Sequence, residues 1–199
     1  MLLHEELERG GYKLILASQS PRRQQLIADT GLLFETIKYE VDESYPSELA
    51  AEEVPLYLAK LKSDNFPRPI AQSEIIITAD TVVICEGEIL GKPHGEEGAR
   101  QMLRRLSGAE HQVTTGVYLR GAVSQRGFSA HTKVWFRELS DEEIDYYVSK
   151  YSPLDKAGSY GIQEWIGYIG VERIDGSFYN VMGLPIQKLY NELRRVIVL

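Results

Sequence analysis

A long run of mostly β-branched and apolar residues, Glu74–Cys85 (EIIITADTVVIC), restricts most strongly how this chain can fold. β-branched side chains favour extended backbone, and a run with apolar residues on both faces is typical of a strand that is buried on both sides. Helical patterns precede and follow it, at Pro55–Phe66 and Gly95–Leu106. A buried strand between two helices predicts an α/β fold.

The remainder of the chain continues this alternation of strands and helices. Further strands are predicted at Lys13–Ala17, Leu32–Tyr39, His111–Arg120 and Phe128–Leu139, and further helices at Pro21–Thr30, Ser140–Lys150 and Pro185–Val196. The last two strands are joined by a turn that contains Gly and Ser, so they predict a hairpin inserted in the sheet. We therefore predict an α/β fold with a mixed, elongated central sheet and flanking helices.

The composition excludes several classes of protein. A net charge of −7 argues against non-specific nucleic-acid binding, which depends on a broad basic surface. No apolar run approaches the ~20 residues of a membrane span, and the N-terminus lacks the basic and apolar regions of a secretory signal. The lone Cys85 excludes an internal disulfide. We expect one cytoplasmic domain over residues 1–199, with residues 1–11 as a mobile N-terminal extension and with no nucleic-acid or membrane partner.

The segment Ser18–Arg23 (SQSPRR) is the first candidate site, at the point where a strand runs into a helix. Ser20 and Pro21 are typical of the N-cap and of the first helical position. Unpaired backbone N–H groups and the helix dipole favour an anion there, whereas cations in the first turn cost roughly 0.3–1 kcal/mol. Arg22 and Arg23 go against that preference and so indicate a polyphosphate site. A capped helix with two solvated arginines is the alternative.

Asp80 is the strongest acidic candidate, because it interrupts a strand that is otherwise apolar. A carboxylate in a buried sheet is costly unless it is paired or binds a metal. It could be a metal ligand or the general base on an attacking water, or it could end a strand at a turn. Glu40, Asp42 and Glu43 need no explanation as a solvated loop, but they could hold Mg²⁺ or Mn²⁺ if they face phosphates.

Three lysines are candidate cations for a phosphorylated ligand: Lys60, Lys62 and Lys92. A cation at ~4 Å from an anion contributes about 4 kcal/mol at an effective dielectric constant near 20, so a few cations can offset the negative total charge locally. Each lysine alone is also compatible with a solvated surface. The segment Gly87–Pro93 is not a Walker loop, since its glycines are one residue too close and Pro93 replaces Ser or Thr.

Eight short segments, taken together, resemble the Maf family of nucleotide pyrophosphatases. They are Leu14–Arg23, Val41–Glu43, Leu58–Lys62, Ala79–Val83, Leu90–Pro93, Met102–Gly108, Asp155–Gln163 and Val181–Pro185. Each is a weak signal alone, but all eight follow the family's order, which makes the resemblance specific. Only the first dozen residues lie outside it.

The resemblance implies hydrolysis between the α- and β-phosphates of a nucleoside triphosphate, with release of pyrophosphate and with Mg²⁺ or Mn²⁺ as cofactor. It also implies two lobes around a cleft. Asp80 would be the catalytic acid/base, and Glu43, with Asp42 and Asp80, would bind the metal. The residues implied as phosphate contacts are Ser18, Arg22, Arg23, Lys62 and Lys92.

The resemblance also points to one branch of the family. Arg22, Thr81 and Gln163 match the set of the branch that cleaves dTTP and UTP, rather than the branch that acts on methylated GTP. Modified pyrimidine nucleotides are further candidate substrates. One departure concerns the base pocket, because Glu164 follows Gln163 where the family usually has Gly. A bulky anion at this position is expected to change the orientation of Gln163.

Two other functions remain compatible with these residues. A non-catalytic nucleotide-binding regulator linked to septum formation would need the cations but not Asp80, whose presence favours an enzyme. A phosphatase that releases single orthophosphates would be distinguished by its products. A homodimer is compatible with the resemblance, but the sequence locates no interface.

Overall fold

The computed structural model describes residues 1–197 and places seven strands in a mixed sheet. The strands are β1 (Lys13–Leu16), β2 (Phe34–Thr36), β3 (Glu74–Cys85), β4 (Glu88–Leu90), β5 (Glu110–Arg120), β6 (Gln125–Phe136) and β7 (Val171–Asp175). Their order is β2-β1-β3-β5-β6-β7, and β4 pairs with β3. β1 is parallel to β2 and β3, whereas β4 is antiparallel to β3 and β7 to β6. The predicted α/β fold with a mixed sheet is confirmed.

Helices lie between most of these strands. They are α1 (Leu3–Arg9), α2 (Pro21–Ala28), α3 (Val54–Asp64), α4 (Gly95–Leu106), α5 (Asp141–Tyr151), α6 (Trp165–Gly170), α7 (Phe178–Val181) and α8 (Ile186–Val196). Each helix that the sequence predicts begins and ends within two residues of its predicted position. Along residues 1–197, no helix has the length and the apolar character needed to cross a bilayer.

The chain separates into two compact units. The first unit comprises Met1–Asp80, Thr115–Ala130 and the residues from Gly183 onward, and the second comprises Thr81–Thr114 and His131–Met182. Strands β3, β5 and β6 each contribute residues to both units. The unit boundaries in these strands therefore do not coincide with a linker, and the boundary in β3 falls directly after the candidate residue Asp80.

The first unit is built on the parallel pairing of β1 with β3. Leu14 lies opposite Ile75 and Leu16 opposite Ile77, and all four side chains are at most 2% exposed. Continuous apolar runs are typical of parallel strands that are covered on both faces. Because β1 leads directly into the turn before α2, this buried pairing fixes the start of the Ser18–Arg23 segment.

The N-terminal residues are packed into the first unit. α1 buries Leu3 and Leu7, the backbone N–H of Leu3 donates to Tyr190 Oη at 3.2 Å, and Glu6 pairs with Arg194 at 3.0 Å. Both partners lie on α8. The sequence does not predict this helix. It has only seven residues and no side-chain hydrogen bond at its N-cap, so neither an apolar pattern nor a capping residue marks it.

Four short elements in the second unit are also absent from the sequence prediction: β4, α6, α7 and β7, of three to six residues each. In the first unit, β2 covers Phe34–Thr36 instead of Leu32–Tyr39, and none of its side chains is fully buried. β6 begins and ends three residues earlier than predicted, at Gln125–Phe136. Short and half-exposed strands carry too weak an alternation to be located from sequence.

The second unit has its own apolar core around α4 and α5. Leu103, Ile144 and Tyr147 are at most 1% exposed and pack in a cluster that also contains Val83 of β3. α5 begins with the predicted capping box. Ser140 Oγ accepts from the backbone N–H of Glu143 at 3.3 Å, and Glu143 Oε2 accepts from the N–H of Ser140 at 2.9 Å.

A buried histidine supports the loop that leads to Gln163. His111 is 2% exposed, and its Nε2 lies 2.7 Å from the Oη of Tyr160, which is also buried. The two rings and that of Phe136 pack edge to face. Burial lowers the pKa of His111 to about 4, so the ring is neutral in the folded protein at neutral pH.

Gly116 brings β5 into direct contact with the start of α3. A Cβ at Gly116 would lie 2.2 Å from the backbone N of Leu56 and 2.4 Å from the carbonyl carbon of Pro55. Backbone atoms cannot move aside as a flexible side chain can. We expect Gly116→Ala to destabilise the protein by at least about 2 kcal/mol in denaturant unfolding, because the helix must shift.

The matched control is Gly98→Ala in α4, where the nearest atom to a new Cβ is Pro93 Cβ at 3.6 Å. That contact is ordinary, and Ala is favoured over Gly inside a helix, so this variant should be as stable as the parent or more stable by up to ~1 kcal/mol. Equal free energies of unfolding for Gly116→Ala and Gly98→Ala would contradict the close contact between β5 and the start of α3.

His111 predicts a pH dependence of folding. Its pKa is near 6.5 in the unfolded chain and about 4 in the folded one, so the unfolded state binds more protons between these values. The stability conferred by the neutral ring is complete above pH 6.5 and falls by about 3 kcal/mol as the pH drops to 4. Chemical unfolding of the parent and of His111→Gln at several pH values measures how the free energy of unfolding depends on pH. His4→Gln, at an exposed position, is the control. An unchanged pH slope in His111→Gln would refute it.

Candidate active site

The predicted strand-to-helix turn is present and is ordered by its two serines. Ser20 is the N-cap of α2, and its Oγ accepts from the backbone N–H of Arg23 at 3.4 Å. Ser18 Oγ accepts from the backbone N–H of Ser20 at 3.2 Å. Pro21 occupies the first helical position, as expected from its fixed φ and missing N–H. The turn therefore presents a helix N-terminus directly after a buried strand, which is a favourable place for an anion.

Arg23 is bound mainly to the main chain of its own unit. Its Nε donates to the carbonyl of Gly183 at 2.8 Å, and its Nη1 donates to the carbonyl of Ala79 at 2.9 Å and to Ser18 Oγ at 3.4 Å. Burial lowers the pKa of Arg23, and the carboxylate of Asp80 opposes that effect. The guanidinium thus holds the residue that precedes Asp80. Its predicted contact with phosphate stays a prediction.

Arg22, the neighbouring residue, is half-buried in the first turn of α2. Its positive charge contributes to the lowering of the pKa of Arg23, which places the two guanidinium groups in the same electrostatic environment. Two cations at one helix N-terminus are unfavourable for folding alone. A bound polyanion would remove that repulsion, and the sequence prediction for Arg22 rests on this.

Lys62 joins two carboxylates into one cluster. Its Nζ lies 2.6 Å from Asp80 Oδ1 and 3.1 Å from Glu43 Oε1. The side chains of Lys62 and Asp80 are only 16% and 15% exposed, whereas that of Glu43 is 54% exposed. Asp80 lies inside β3 and not at a turn, since the strand continues to Cys85. The ion pair offsets the cost of placing a carboxylate in a largely buried strand.

The end of α3 is fixed so that Lys62 reaches Asp80. Tyr39 Oη donates to the carbonyl of Lys62 at 2.5 Å, and Arg120 Nη1 donates to the carbonyl of Ser63 at 3.0 Å. These bonds satisfy carbonyls that a helix C-terminus leaves without partners. Burial raises the pKa of Tyr39 to about 12, so its hydroxyl stays protonated and remains a donor.

Tyr39 and Arg120 were not predicted from the sequence. Tyr39 follows a short edge strand, and Arg120 is 57 residues away from the carbonyl that it binds. No local spacing marks such contacts. Lys60, which the sequence offered as a cation, instead pairs with Asp64 at 2.5 Å on the surface of α3, with 53% of its side chain exposed.

The predicted metal ligands are only partly brought together. Glu43 and Asp80 converge on Lys62, while Asp42 Oδ1 accepts from the backbone N–H of Ser44 at 3.2 Å in an exposed loop. Within residues 1–197, no group of three or more His, Cys, Asp or Glu side chains could hold an ion by itself. Two carboxylates do fit Mg²⁺ or Mn²⁺ when substrate phosphates and water complete the coordination.

The second unit holds the other predicted residues: Thr81, Lys92 and Gln163. Gly158, in the same loop as Gln163, contacts the segments that carry the other two residues. Its N–H donates to the carbonyl of Gly91, next to Lys92, at 3.1 Å, and its Cα faces the side chain of Val83, two residues after Thr81. Lys92 is exposed, and Thr81 is half-buried. Gln163 Oε1 is buried and has no hydrogen-bond partner among the residues that the structure describes.

Arg23 yields a stability prediction that is independent of any activity. Arg23→Met would remove the charged donor that binds the carbonyls of Ala79 and Gly183, and the loss of a hydrogen bond to a charged group costs about 1.5–3 kcal/mol. We expect a loss of about 2–4 kcal/mol in denaturant unfolding. Arg9→Met, at an exposed position in α1, should stay within about 0.5 kcal/mol of the parent. A similar small effect for both variants would show that Arg23 is not a structural donor.

The comparison with known proteins identifies the family of this chain. Residues 13–196 match the family model described as Maf-like protein. The chain is 56% identical to the dTTP/UTP pyrophosphatase of Phocaeicola vulgatus, with 96% of this chain and 99% of that protein covered. It is 54% identical to the dTTP/UTP pyrophosphatase of Bacteroides thetaiotaomicron, with 93% and 96% covered. This chain therefore belongs to the Maf family.

Proposed function

We propose that this protein hydrolyses dTTP and UTP to the nucleoside monophosphate and pyrophosphate. The observation that carries the proposal is the Asp80 carboxylate, which Lys62 holds at 2.6 Å inside a largely buried strand. A structural ion pair would not need this position, because an apolar residue would cost less there. The names of the related proteins support the same reaction and the same substrates.

The triphosphate would bind at the start of α2. Ser18, Arg22 and the N-terminal backbone of the helix supply donors and positive charge, and Lys62 adds a cation in the same unit. Such a local field can attract a polyanion although the whole chain has a net charge of −7. Lys92 stays a predicted further phosphate contact, and Thr81 and Gln163, with Arg22, stay predicted determinants of base selection.

Asp80 would act as the general base. Lys62 contacts Oδ1, so we assign Oδ2 to accept the proton of a water that attacks the α-phosphorus. Arg23 holds the carbonyl of Ala79 and so fixes the main chain beside Asp80, while Lys62 fixes the side chain. Hydrolysis of a phosphoanhydride depends mainly on such positioning and on electrostatic stabilisation.

We assign a divalent cation, Mg²⁺ or Mn²⁺, to the same site. Glu43 and Asp80 would hold it together with phosphate oxygens, and Asp42 stays a predicted support from the exposed loop. When bound, the ion neutralises charge that develops on the phosphate oxygens. Glu43 has 54% of its side chain exposed, so it can move from Lys62 towards an ion. We place the protein in the cytoplasm, where such a substrate is available.

Replacement of Asp80 by Asn tests this function. The substitution keeps the shape of the side chain but removes the base, so kcat for UTP should fall at least about 100-fold. Release of pyrophosphate and of orthophosphate is measured separately with Mg²⁺ or Mn²⁺. The parent should give equal amounts of UMP and pyrophosphate and no orthophosphate.

Asp145→Asn is the matched control, because Asp145 forms an exposed ion pair with Arg100 and 57% of its side chain is exposed. It should keep the parent's turnover. Near-parental turnover by Asp80→Asn would remove Asp80 from the role of base. Release of single orthophosphates by the parent would replace the proposed reaction with that of a phosphatase.

A further inference from the structure

The loop Asp155–Glu164 lies between α5 and α6 and contains Gln163. Glu164, its last residue, carries a carboxylate that is only 20% exposed. A carboxylate at this depth needs partners within the protein. Its partners are Tyr147 and Lys156, and both belong to the second unit.

Glu164 closes the loop on itself. Tyr147 Oη donates to Glu164 Oε2 and accepts from the backbone N–H of Gly161 at 3.0 Å. Lys156 Nζ lies 3.3 Å from Glu164 Oε1 and 2.9 Å from Asp155 Oδ1, and its side chain is 10% exposed. The carboxylate is therefore linked to the beginning of the loop through Lys156 and to its later part through the tyrosine. Tyr147 is fully buried in α5, so the anchor is rigid.

The main chain on both sides of Gln163 is closely packed. A Cβ at Gly161 would lie 2.8 Å from the carboxyl carbon of Glu164, and a Cβ at Gly167 would lie 1.9 Å from the carbonyl oxygen of Ile162. Glu164 thus packs directly over Gly161. The loop is held from one side by this carboxylate and from the other by α6, with Gln163 between the two contacts.

Gln163 Oε1 is a buried acceptor with no hydrogen-bond partner in residues 1–197. A buried acceptor without a donor is unfavourable and predicts a donor on a ligand. Uracil and thymine present an N–H donor at ring position 3, whereas cytosine presents an acceptor there. A fixed Oε1 can therefore distinguish these bases, because the wrong base leaves the acceptor unpaired.

We propose that Glu164 is a positioning residue that sets the orientation of Gln163 and thereby selects uracil and thymine over cytosine. This inference rests on the proposed function for the identity of the ligand. The Glu164 carboxylate does not touch the base. It acts through Lys156 and Tyr147, which fix the loop that carries Gln163.

Binding of UTP and CTP in the presence of EDTA tests the proposal without turnover. The parent should bind UTP at least about tenfold more tightly than CTP. In Glu164→Ala the dissociation constant of UTP should rise about tenfold, while those of CTP and inorganic triphosphate should change less than about twofold. Glu142→Ala, at an exposed position in the first turn of α5, should keep the parent's values.

Glu164→Gln is the second variant, for the case that Glu164→Ala does not fold. It keeps the acceptor for Tyr147 but loses one of the two charges that Lys156 pairs with, while Asp155 keeps the other, so the ratio of UTP to CTP affinity should lie between those of the parent and the Ala variant. The proposal is overturned if a folded Glu164 variant keeps the parent's ratio of UTP to CTP affinity. It is also overturned if the parent binds UTP no more tightly than CTP. If the parent prefers UTP in binding but releases no pyrophosphate with metal, the proposed function fails while the role of Glu164 stands.

Discussion

The ion pair between Lys62 and Asp80 is the interaction on which the site depends. A carboxylate within a strand as apolar as β3 would be strongly unfavourable without a counter-charge. Lys62 Nζ supplies that charge at 2.6 Å and reaches Glu43 at 3.1 Å as well. The same contact fixes the direction of the carboxylate. A carboxylate that is costly in folding is thereby held in one orientation, as the proposed role of Asp80 as general base requires.

The surroundings of this pair are organised by hydrogen bonds to main-chain carbonyls. Tyr39 and Arg120 bind the carbonyls at the end of α3, and Arg23 binds the carbonyl of Ala79. Each of these side chains fixes the backbone next to Lys62 or Asp80, the two side chains to which the proposed reaction assigns a role. The two arginines of the SQSPRR turn therefore have different surroundings. Arg23 binds main-chain carbonyls, while Arg22 lies half-buried in the first turn of α2.

Much of this could be predicted from local sequence, and the remainder could not. β3, α4 and the capping box of α5 follow from apolar runs and cap residues, and the mid-strand position of Asp80 marked it as exceptional. The contacts of Arg23 join positions 56 and 160 residues apart, so no local pattern indicates them. Glu164, a bulky anion, is predicted to change the orientation of Gln163, and this stays a prediction. In the structure its charge is paired with Lys156, which depends on how the loop folds back.

Hydrolysis of UTP in water enriched in ¹⁸O, followed by mass spectrometry of both products, tests most directly whether the water attacks the α-phosphorus. If the water activated by Asp80 attacks the α-phosphorus, one ¹⁸O atom will be found in UMP and none in pyrophosphate. Label in pyrophosphate would mean that the β-phosphorus is attacked. In that case the cluster formed by Glu43, Lys62 and Asp80 would not direct the reaction as inferred from its geometry.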